Sequence, residues 1–66
     1  MPYVSVRLAA PVAQEKKDQI ISGITNLLQE VLNKPPAATT VVIDEVDPHN
    51  WGVGGETLAV KWGLDK

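Results

Sequence analysis

Val4, Val6 and Leu8 alternate with Tyr3, Ser5 and Arg7 at the start of the chain. A period of two with β-branched and aromatic members predicts a half-buried strand over residues 2–8. Ala9-Ala10-Pro11 ends it, and Pro11 is expected at or just before the first turn of a helix, where a missing N–H costs little. From Ala13 to Asn33 the period changes. Ile20, Ile21, Ile24, Leu27, Leu28, Val31 and Leu32 form one stripe of an amphipathic helix, and the stripe is expected to be core. Gly23 weakens the helix interior by about 1 kcal/mol relative to alanine, so it is expected to mark a close packing contact. Lys34-Pro35-Pro36 stops the helix. Thr39 to Glu45 is a second run of β-branched residues and a second predicted strand.

Two strands joined by a helix of about 20 residues make a β-α-β unit, whose strands are parallel and whose crossover is right-handed. One helix covers only one face of such a sheet. The other face and both edges are expected to find partners in other subunits. Asp47-Pro48-His49-Asn50 reads as a turn. In Trp51-Gly52-Val53-Gly54-Gly55-Glu56, followed by the short run Thr57-Leu58-Ala59-Val60, the glycines beside Val53 suit a C-terminal β-hairpin. The apolar residues of the tail, 61–66, are expected to dock on a neighbouring subunit. The fold class is therefore α+β, one domain over residues 1–66.

Size sharpens the expectation of assembly. Sixty-six residues lie near the lower limit for a self-sufficient core, yet 44% of them are hydrophobic and none is a cysteine that could supply a disulfide. Oligomerisation follows before any other consideration. A net charge of −2 offers no footprint for nucleic acid. No apolar run is long enough to span a membrane, and no secretory signal precedes the first strand, so a cytoplasmic protein is expected. One histidine and no cysteine argue against a metal site.

Few side chains are candidates for chemistry. Pro2 follows Met1 directly. With the methionine removed, proline presents a secondary amine, with an ordinary pKa near ~8, that modest desolvation or a nearby cation would turn into a neutral base around neutral pH. With Met1 retained, Pro2 is an amide and no base at all. Its plain alternative is a small residue opening an edge strand. Gly52-x-Gly54-Gly55 has no following helix and no P-loop lysine, so it reads as a turn. Asp44, Glu45 and Asp47 read as a solvated strand end, and His49 as a surface residue or local hydrogen-bonder. Trp51 is either the wall of an apolar pocket or an interface or core aromatic.

Pro2 at the head of a short strand, the long amphipathic helix, the β-branched strand and then Trp51-Gly52-Val53-Gly54-Gly55-Glu56 together resemble the 4-oxalocrotonate tautomerase family. The resemblance covers the whole chain. It implies a β-α-β subunit assembled as a homohexamer, a trimer of dimers, with no cofactor. It also implies that the terminal proline acts as general base and acid, moving a proton between the oxygen and carbon ends of an enol or dienol. Pro2 matches the catalytic proline, and Trp51 the pocket-lining aromatic.

Two family positions differ. The arginine after the first strand falls at Val12, and the arginine in the second strand falls at Thr40. Neither residue replaces a guanidinium clamp on a carboxylate. Arg7, the chain's only arginine, is the remaining candidate anion contact. The expected activity is keto–enol tautomerisation of a small 2-oxo acid or related carbonyl compound, with a monoacid or uncharged enol favoured. The alternative is a low-activity or substrate-shaping subunit of a hetero-oligomer.

Overall fold

The structure is a computed structural model, and it describes residues 2–64. Strand β1 (Tyr3–Ala9) leads into helix α1 (Gln14–Leu32), and strand β2 (Thr40–Val46) lies parallel to β1. The register runs from Tyr3 opposite Thr40 to Ala9 opposite Val46. Hairpin strands β3 (Gly52–Val53) and β4 (Glu56–Thr57) and a four-residue helix α2 (Leu58–Lys61) complete the subunit. Short 3-10 turns, Pro36–Ala38 and Pro48–Asn50, flank β2.

Each element has a local cause. The pleat sends Val4, Val6 and Leu8, with Val41 and Ile43, to the half-buried side of the sheet, and Tyr3, Ser5, Arg7, Thr40, Val42 and Asp44 to the exposed side. Helix α1 ends at Asn33, whose left-handed backbone (φ 55°) lets its N–H return to the Leu28 carbonyl. Pro11, joined to Ala10 by a cis peptide bond, stops short of the helix, whose N-cap is Ala13. At the hairpin, Gly54 (φ 63°) and Gly55 (φ 89°) are the two central residues of a two-residue loop. Both need positive φ there, as a type I′ turn requires. The run after the hairpin is helical: Thr57 caps α2 by accepting the Val60 N–H at 3.2 Å.

The helix stripe is only partly core. Ile20, Ile24 and Leu28 are half-buried, whereas Leu27, Val31 and Leu32 are 54–68% exposed. A two-stranded sheet is too narrow to cover a stripe of that width. Gly23 makes no close contact within the chain either, since a Cβ there would meet nothing within 4 Å. Ala59 and Pro48 are the two buried residues among those described. The radius of gyration is 15.2 Å, against about 11 Å for a compact 66-residue chain. The accessible surface is 4764 Å², against about 4,100 Å² for a folded monomer of this mass. The subunit is a flat, extended piece, 48 × 23 × 14 Å, with the open face of its sheet uncovered.

Candidate active site

Pro2 and Thr40 share one end of the sheet. The Thr40 N–H donates to the Pro2 carbonyl oxygen at 3.0 Å, which makes the half-buried proline a fixed extension of β1. Thr40 itself is exposed on the open face, next to Tyr3.

Val12 lies beyond the other end of the same sheet. With a rise of about 3.3 Å per residue, the eight steps from Pro2 to Ala10 span roughly 26 Å. At that far end Ala10, Pro11, Glu45, Asp47, Pro48, His49 and Leu64 line a cavity of about 490 Å³. Trp51 follows the Pro48–Asn50 turn, half-buried, with its carbonyl accepting the Leu58 N–H at 2.8 Å. Arg7 is midway along β1 on the open face, where its Nε stands 3.2 Å from Asp44 Oδ2. The five residues singled out from sequence therefore fall into two groups at opposite ends of the sheet, with Arg7 between them. Met1 lies outside the described residues.

The acidic cluster divides. Asp47 behaves as a turn residue: it accepts the His49 N–H at 2.9 Å and lies 2.7 Å from the His49 ring. The backbone bond and then the ring contact hold its carboxyl below the ordinary range. Glu45 corrects the expectation of a solvated strand end. Its Oε2 accepts the Val12 N–H at 3.1 Å and its Oε1 pairs with Lys17 Nζ, with 27% and 20% of the two side chains exposed. The Lys17 hydrogen bond, and next the Val12 N–H, lower the Glu45 pKa against an opposing desolvation effect. The signal was present in the alternation: Glu45 follows Val41 and Ile43 on the face turned to the helix, so its charge needed a partner there. Among the described residues, no three His, Cys, Asp or Glu side chains are grouped to hold a metal ion. No described helix is long and apolar enough to cross a membrane.

A parallel β-α-β unit with a proline at the head of its first strand and an aromatic-glycine hairpin behind its second defines a tautomerase-type subunit. Residues 2–61 match the model of the family described as tautomerase enzyme, and the chain belongs to that family. A probable tautomerase of Dickeya dadantii is 49% identical over 59 residues, covering 88% of each chain. One from Helicobacter pylori is 41% identical over 61 residues, covering 88% of this chain and 90% of its own. Among solved structures, DmpI from Helicobacter pylori superposes with a TM-score of 0.81 at 39% identity, covering 89% of this chain and 98% of that one. TomN, a 4-oxalocrotonate tautomerase homologue of the tomaymycin biosynthetic pathway, superposes at 0.90 with 26% identity, covering 94% and 95%.

Proposed function

We propose that this tautomerase-family chain is a cofactor-free keto–enol tautomerase. In this reading Pro2, freed of Met1, takes a proton from the hydroxyl of an enol and returns one to carbon. The observation that carries the reading is the family match, which begins at Pro2, together with the backbone anchoring of Pro2 by Thr40. A secondary amine on a rigid ring, held at a strand end, is a base whose direction is set without any side-chain torsion.

The two-ended geometry implies a composite site. A small 2-oxo acid cannot bridge roughly 26 Å, so Pro2 of one copy works against the Val12 and Trp51 end of another. Homo-oligomers of this kind, a hexamer among them, also account for the uncovered sheet face. With Val12 and Thr40 at the arginine positions, the pocket favours a monoacid or uncharged enol. Arg7, whose Nε faces Asp44, keeps further guanidinium N–H donors for an anion contact.

The test is ketonisation of phenylenolpyruvate and 2-hydroxymuconate by protein whose intact mass shows a chain beginning at Pro2. Pro2→Ala is expected to lower kcat/KM by about 10²–10⁴-fold, and the terminal amine to titrate about one or two units below its ordinary value near ~8. Equal rates for Pro2→Ala and wild type in both assays would end the reading. The residues at positions 12 and 40 favour one alternative, a substrate-shaping subunit whose arginines come from a second chain. Native mass spectrometry of the complex from its source separates the two, because the alternative requires a stoichiometric paralogue.

A further inference from the structure

Glu45, on β2, is bonded both to helix α1 and to the connection between β1 and α1. The pleat places it on the helix side of β2, in line with Val41 and Ile43. A carboxylate in that row is costly unless it is paired, and its two oxygens are used on two different segments. Oε1 takes the Lys17 ammonium, in the first turn of α1, and Oε2 takes the backbone N–H of Val12, in the connection between β1 and α1. The near end of that connection is fixed separately, by the Ala10 N–H on the Val46 carbonyl at 2.8 Å. Ala10, Pro11 and Glu45 itself line the 490 Å³ cavity. Ala10 and Pro11 thus form part of a cavity wall, in a segment pinned at Ala10 and at Val12, and the second pin is a side chain.

We propose that Glu45 is a positioning residue for substrate binding. Through the Val12 N–H it fixes the 10–13 segment as one wall of the substrate pocket, and it touches no reacting atom. The proposal rests on the tautomerase reading above. Glu45 bonds Val12 and Lys17, and in the composite site it meets the base of another copy only through this wall, so substrate affinity depends on the pin while proton transfer is left nearly unchanged.

The experiment compares wild type, Glu45→Ala, Glu45→Asp, Glu45→Gln and Lys17→Met by kcat and KM for phenylenolpyruvate, and by hydrogen exchange of the Val12 amide. Glu45→Ala removes both contacts. Glu45→Asp keeps the charge but falls one methylene short of Val12, and carries the same test if the alanine variant does not fold. Both are expected to raise KM about tenfold, the loss of a hydrogen bond to a charged acceptor, with kcat within about twofold and Val12 protection lost. Glu45→Gln, which keeps an acceptor for Val12, restores protection and most of the affinity. Lys17→Met removes only the ion pair and leaves KM near wild type. Unmoved KM and Val12 protection in Glu45→Asp overturn the proposal. So does a fall in kcat at constant KM, or an equal rise of KM in Lys17→Met, which would mark a merely structural joint. A wild-type chain without ketonisation overturns the tautomerase reading first, whereas an active wild type with these results overturns this proposal alone.

Discussion

The Thr40 N–H holds the Pro2 carbonyl oxygen at 3.0 Å, so the proposed base is anchored by main chain and the Thr40 side chain is spare. The side chain can therefore be changed without releasing the proline. Thr40→Arg combined with Val12→Arg is expected to lower KM for the dicarboxylate 2-hydroxymuconate by about tenfold or more, as charge-assisted bidentate pairs form. The effect on uncharged enols is expected to be small. Steady-state kinetics on both substrate types checks this, and equal effects on the two would show that the guanidiniums miss the carboxylates.

The hairpin gives a contrast between adjacent glycines. At φ 89° Gly55 lies outside the left-handed basin that Gly54, at 63°, occupies. Gly55→Ala is expected to cost about 1–3 kcal/mol and to lower Tm by several degrees. Gly54→Asn should be tolerated, since asparagine accepts that conformation in type I′ turns. Paired thermal melts decide the matter, and a Gly54→Asn variant as unstable as Gly55→Ala contradicts it.

Gly23 is expected to be improvable. A methyl group there meets nothing within 4 Å, so Gly23→Ala should stabilise α1 by about 1 kcal/mol. A fall in Tm instead would reveal a neighbouring copy packed over that turn.

Acid should loosen the joint between β2 and α1. The folded-state pKa of Glu45 lies below its ordinary value of 4.5, so its contribution is complete above that value and is lost as pH falls through the folded pKa. Asp47 is depressed by His49 and adds in the same direction. Melting curves across the acid range are expected to fall below about pH 4.5, more shallowly in Glu45→Gln. In Lys17→Met the fall should also be shallower, because the leading cause of the depression is gone.

The alternation over β1 and β2 and the 3.6 period of α1 were legible because each element has one buried face, and Gly54-Gly55 marked the hairpin turn. Helix α2 was not, since four residues are too few to show a period; its one signal was Thr57 as a cap with Gly63, at φ 74°, closing the turn after it. The width of the α1 stripe was read as core, but sequence does not say how wide a surface the stripe meets. The candidate site was named from sequence as a set of residues, Pro2, Arg7, Val12, Thr40 and Trp51. Their distribution along the sheet was not legible, because a residue's position along a strand says nothing about which copy completes its surroundings. Glu45 reads as a strand-end charge by its place, although its parity with Val41 and Ile43 points inward.

Ala59 and Pro48 alone among the described residues are buried within their own chain. A chain built that way has no private melting temperature. Its stability carries the logarithm of protomer concentration, so tenfold dilution alone should move the midpoint of unfolding. Activity is then expected to vanish on dilution together with secondary structure, in one transition, rather than surviving in dispersed, folded subunits.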